Sequence, residues 1–309
     1  MSATSSEVLR STSARGGVSG AAGRPQPIWY TLAIATLVVA TTLYGLLQAG
    51  AYRVSDYQEA IWRAQDLVTL LTVPIAVWSG MRARKGSIRG HLVWLGLMLW
   101  LAYCYAHLAF GTPYNNVFLL YVAILGLAGY GLIDGLLRID VVAVAPAFSR
   151  APRRAASWFL IVSGLGIAAL WLSEILAAFP DGQPASNLVY DMPSPTYVLD
   201  LAFVIPLALA GAWLLRREHP AGPIVTALTL VMLLVLSLAM LTLTPFAVAA
   251  KLHLDPEYVR AFIAFGSIFT LLTIVVAGLL VTGARRLQPV SRTWLRPTLW
   301  HAGSRSERR

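Results

Sequence analysis

The sequence predicts an all-α, polytopic membrane helix bundle: eight transmembrane helices with both termini in the cytoplasm. Three observations predict it. A soluble domain carries about 25% charged residues, whereas this chain of 309 residues is 57% hydrophobic and 12% charged. Its mean hydropathy is +0.67. Apolar segments recur along it, and basic residues gather in every second gap between them. That is the pattern of repeated bilayer crossing, and it excludes a soluble enzyme.

Residues 1–26 are rich in Ser, Ala, Gly and Thr, with Arg10, Arg15 and Arg24, and read as a disordered cytoplasmic tail. No signal peptide is predicted, because the first apolar run begins too late. Apolar segments then follow at about 29–50, 61–81, 91–110, 117–137, 156–178, 196–215, 223–248 and 261–283. Each is long enough to cross a hydrocarbon core of about 30 Å. The second is the weakest, because Trp62-Arg63-Ala64-Gln65-Asp66 opens it. The alternative count is therefore seven, with that segment re-entrant or peripheral.

Loop charge favours eight. The even-numbered gaps hold Arg82, Arg84, Lys85 and Arg89, then Arg138, Arg150, Arg153 and Arg154, then Arg216 and Arg217; the C-terminal tail starts with Arg285 and Arg286. The odd-numbered gaps are neutral or mixed, as in Gly111-Thr112-Pro113-Tyr114-Asn115-Asn116. The positive-inside rule then sets the orientation. The chain divides into a first four-helix half at 27–138, a cytoplasmic linker at 139–155, a second half at 156–284 and a basic cytoplasmic tail at 285–309. Within the linker, Val141–Phe148 reads as a surface segment against the bilayer or a plain connector. Trp294, Leu295, Leu299 and Trp300 between arginines suit the anionic cytoplasmic leaflet.

The halves share a layout. Asp66 precedes Arg82 by sixteen residues, and Asp200 precedes Arg216 by the same interval, each with a proline between. A parallel four-plus-four repeat about the membrane normal would produce this, as would chance likeness between Leu-rich segments. Pro74 and Pro206 fall near the midplane and could break their helices there. Gly126, Gly129 and Gly135, and Gly266, Thr270, Thr273 and Ala277, read as positions of close helix approach.

Ionisable groups inside a membrane are expensive, so they mark functional candidates. Asp134 lies four residues before Arg138 and reads as its i,i+4 partner. Asp66, His107, Glu174 and Asp200 instead fall in one layer near the extracytoplasmic side. We expect them to line a shared polar cavity walled by Tyr103, Trp171 and Tyr197, with Arg63 as counter-charge. Independent snorkelling of the four groups to the headgroups is the competing expectation. The loop from Phe179 to Pro195, with Asn187, Tyr190 and Asp191, could cap such a cavity or merely connect.

No phosphate-cradling glycine loop, zinc-binding helix or nucleophile elbow is present. The only lysines, Lys85 and Lys251, lie in loops, which excludes a buried Schiff base, and the single Cys104 excludes a disulfide framework. No cofactor is predicted; the donor atoms of the outer polar layer would suit a divalent cation. The expected partners are the lipid bilayer, its anionic cytoplasmic leaflet, and a membrane protein or second copy of the chain, with no nucleic acid. The reading these acids favour is a transporter or ion-coupled carrier of a bacterial-type inner (plasma) membrane. The alternatives are a structural or assembly subunit, and an outer-leaflet lipid-modifying or metal-dependent membrane enzyme.

Overall fold

The computed structural model describes residues 28–148, 152–179, 194–251 and 256–284. Both tails, and residues 180–193 with Asn187, Tyr190 and Asp191, lie outside the described residues. Eight long helices follow in order: α1 (Ile28–Leu47), α2 (Asp56–Arg84), α3 (Ile88–Gly111), α4 (Phe118–Leu137), α5 (Arg153–Ala178), α6 (Pro195–Arg216), α7 (Gly222–Ala249) and α8 (Pro256–Ala284). Among the described residues there is no sheet. Helices α1 to α7 are long and apolar enough to cross a membrane. The 29 residues of α8 include the apolar stretch Gly266–Gly278. The protein is a multi-pass membrane helix bundle.

Local chemistry sets the ends. Ser55 caps α2 by accepting from the Gln58 amide, with Asp56 and Glu59 in the first turn and Arg82 and Arg84 in the last. Ser87 caps α3 by accepting from the Gly90 amide at 3.2 Å. Ser194 caps α6, with Pro195 at its first position, where a missing N–H costs nothing.

Helix α3 is the axis of the bundle: 78% of its apolar window is buried, against 17% for the peripheral α5. Helix α2 packs on α1 and α3, α4 packs on α3 and α1, and the second half repeats the order, α5 on α6, α6 on α7 and α7 on α8, with α8 touching α5. The halves meet where α7 lies against α2 and α3, and where α3 meets the start of α6. The α3–α7 contact is tight because Gly96 has no side chain; a Cβ there would lie 2.5 Å from the Val231 Cβ. Trp29, Leu71, Trp78, Tyr130, Val162 and Leu271 lie on the exposed apolar perimeter, as expected of a bundle solvated by lipid.

Four expectations need correction. Helix α2 runs unbroken through Pro74. Gly126 and Gly129 meet nothing within 4 Å, so they face outward, whereas Gly135 and Gly266 do pack against leucines. The linker residues Val141–Val144 and Ala145–Phe148 form helical turns whose Val144 and Phe148 are buried in the core, so this stretch is more than a surface connector. Arg63 pairs with Glu59 at 2.7 Å and donates to the Gln48 carbonyl, so no bond joins it to Asp66. Its reach along the helix favours the i−4 carboxylate over one that points into the bundle.

Candidate functional site

At the arginine-rich end of the bundle the polar groups act as anchors. Arg138 holds Asp134 through two bonds of 2.7 and 2.9 Å. Arg216 donates to Ser157 at 2.8 Å and lies 4.3 Å above the Trp158 ring. At the opposite, arginine-poor end the buried titratable groups Asp66, His107 and Asp200 belong to two clusters.

The first is built on Asp66, 2% exposed. The turn after α1 takes left-handed backbone at Gly50 (φ +64) and Arg53 (φ 55), and this folds Tyr52 back into the bundle. The Tyr52 hydroxyl donates to the Asp66 carboxylate. Gly45 makes room, since a Cβ there would run into both the carboxylate and the hydroxyl. Burial, then the charge of Asp66, pushes the Tyr52 phenol well above its ordinary value, so it stays an O–H group. Nearby, Tyr105 and Thr41 share a 2.5 Å hydroxyl contact, and Tyr105 packs on Tyr121.

The second cluster joins three helices around Asp200, 3% exposed. Tyr103 of α3 donates to its Oδ1 at 2.8 Å, and the Trp171 indole of α5 donates to its Oδ2 at 2.7 Å. Tyr197 donates to the Glu174 Oε2 at 2.7 Å, and its ring meets Trp171 edge-on at 5.2 Å. The His107 Nδ1 lies 3.1 Å from the Tyr103 carbonyl, to which it can only donate. In the neutral ring Nε2 then accepts from the Thr196 hydroxyl at 3.1 Å.

Between the clusters runs a row of rings. Tyr52 and Trp62 have centroids 6.5 Å apart, Trp62 and His107 6.0 Å, and His107 and Tyr103 4.4 Å. Below it, Gln65 donates to the Cys104 sulfur at 2.8 Å and Trp100 to Thr69 at 3.1 Å, tying α2 to α3.

Helix α6 is irregular where Asp200 sits. Residues Asp200–Val204 form a π-turn, in which the Ile205 amide donates to the Asp200 carbonyl five residues back. Pro206 explains it. Proline has no N–H for the carbonyl four residues earlier and its ring collides with that carbonyl, and a wider turn relieves both.

The site residues expected from sequence are thus distributed as follows. Asp200, Glu174, His107, Tyr103, Trp171 and Tyr197 come together; Asp66 stands in a separate network with Tyr52; Arg63 bonds Glu59 while its charge still acts on Asp66. Among the described residues, no group of three or more His, Cys, Asp or Glu is placed to hold a metal ion. The four titratable groups do not make one donor set. Sequence reading missed Tyr52, a loop residue beside an arginine, and Thr196, hidden next to a proline. The irregularity expected at Pro206 is present, but as a π-turn over Asp200–Val204 and not as a break. No family model, curated protein or solved structure matches the chain.

The chemistry open to Asp200 follows from its partners. Both are neutral. The indole N–H can only donate, which keeps Oδ2 an acceptor, while the Tyr103 hydroxyl can donate to a carboxylate or accept from a carboxylic acid. The arrangement therefore accommodates either protonation state by turning one hydroxyl.

Proposed function

We propose that this protein is a proton-coupled membrane carrier in which Asp200 takes up and releases the coupling proton. The observation that carries the reading is a buried carboxylate between three helices whose two donors, Tyr103 and Trp171, are neutral. Among the described residues no cationic side chain bonds Asp200, and an acid so placed inside a membrane bundle is costly as a fixed structural feature. It is useful where it alternates between charged and neutral. The proposal includes residence in a bacterial-type inner (plasma) membrane, with the arginine-rich end at the anionic cytoplasmic leaflet.

A structural or assembly subunit is the second reading, and one observation favours it: both Asp200 oxygens are met by side chains of neighbouring helices. Such bonds pin helices together in lipid.

Infrared spectra of the protein in lipid nanodiscs, recorded as pH is lowered, separate the two. The carrier reading expects a protonated-carboxyl band that grows as pH falls and is missing in Asp200→Asn. A fixed pin predicts no titrating band and a loss of folded yield in Asp200→Asn. That outcome would end the carrier proposal.

A further inference from the structure

We infer that the π-turn at Asp200–Val204 is a hinge, latched by the bonds from Tyr103 and Trp171, whose release turns the Pro195–Leu199 segment of α6. The inference rests on the reading of Asp200 as a proton-binding residue, and it adds the movement that uptake would drive.

Three features meet at this point. Pro206 has no N–H for the Ala202 carbonyl, so the regular hydrogen-bond ladder of α6 lacks a donor within the Asp200–Val204 turn. A π-turn holds one more residue than an α-turn, and moving it along a helix rotates the residues it passes by about 100°, the angle per α-helical residue. The segment beyond the turn is short: Pro195–Leu199 is five residues. It is held by side chains rather than by a long packed face. Asp200 is tied to α3 and α5, Tyr197 to Glu174 of α5, and Thr196 to His107 of α3. Val198 on the same segment is 57% exposed.

These ties are not equivalent. The Thr196 tie joins a hydroxyl to a ring nitrogen and the Tyr197 tie reaches a carboxylate on α5, whereas the pair from Tyr103 and Trp171 bonds the carboxylate of α6 itself, inside the π-turn. Hydrogen bonds to an ionised group are roughly twice as strong as neutral ones, so neutralising Asp200 weakens both halves of the latch together. The π-turn packs against α5 and the rest of α6 and is bonded to α3. Its titratable neighbours are Tyr103 and His107 from α3, Glu174 from α5 and Tyr197 on its own helix. Rotation of the segment would carry Tyr197 away from Glu174 and Thr196 away from His107, breaking the second cluster open on the side of α6.

The test is a distance measurement between spin labels at Val198 and Phe110, both exposed, in the full chain in nanodiscs. At high pH the wild type should give one principal distance. Lowering the pH, or Asp200→Asn at high pH, should shift it by about 5 Å, half a helix width. Trp171→Phe with Tyr103→Phe removes both latch donors while leaving the carboxylate, and should produce the shifted distance at every pH. Pro206→Ala, which restores an amide to the ladder, should suppress the shift. Unchanged distances in Asp200→Asn and in the Trp171→Phe, Tyr103→Phe protein, both confirmed as folded monodisperse samples, overturn the hinge. The infrared titration separates this from the function proposal. A titrating Asp200 with no distance change sinks the hinge alone, while a shift in the donor variant without a titrating band sinks proton uptake and leaves the hinge.

Discussion

Single atoms decide the polar chemistry of this bundle. Tyr52 reaches Asp66 only because Gly45 lacks a Cβ, since one would overlap both the carboxylate and the hydroxyl. Both groups are buried, so neither can move into solvent to make space. Gly45→Ala is expected to lower stability by about 1–3 kcal/mol, the usual cost of overpacking. Thermal unfolding in detergent reads this as a lower midpoint, and Tyr52→Phe in the same background should recover part of the loss by removing the hydroxyl. An unchanged midpoint would mean that α1 gives way without cost. The same scale explains why Arg63 acts on Asp66 through its charge and not through a bond. Glu59 lies one turn back on the same helix, and a local i,i+4 pair competes well against a counter-charge that would have to be buried.

Helices explain which parts of the pattern are rigid. Two prolines lie in comparable helices, yet α2 continues through Pro74 while α6 widens before Pro206. Both carry an aspartate toward the arginine-poor end, but only Asp200 sits within the irregular turn. At the centre, α3 and α7 approach through Gly96 against Val231. Gly96→Leu should drive the halves apart, because the added side chain meets a β-branched residue that cannot swing aside. The expected result is a marked loss of folded, monodisperse protein in size-exclusion profiles, whereas Gly126→Leu, which faces open space, should leave the profile unchanged. Equal losses in both would show that Gly96 has no special place. The pairing of α7 with α2 is also polar: Thr242 donates to the Ala64 carbonyl at 3.2 Å.

At the scale of the whole molecule, orientation remains an electrostatic expectation with a direct test. Reporter fusions after residues 86, 150 and 219 should report cytoplasm, and fusions after 113, 185 and 254 the outside. An inverted result at 185 would reverse the orientation of the second half. Composition and the spacing of arginines determined the class, the positions of the eight helices to within a few residues, and the i,i+4 partnership of Asp134 with Arg138. These are local or additive quantities: hydropathy sums along a segment, and an i,i+4 pair lies on one helix. The acids were equally legible as costly residues at similar depth. Their grouping was not. Whether Asp66 and Asp200 share one pocket depends on the order in which helices pack around α3, and a single sequence carries no record of that order. Tyr52 entered the site through a left-handed turn, Tyr103 and Trp171 met Asp200 across three helices, and Pro206 widened its helix beside them. Those contacts join residues from 14 to 97 positions apart. Hydropathy reads each segment alone, so only the tertiary structure could decide which side chains meet.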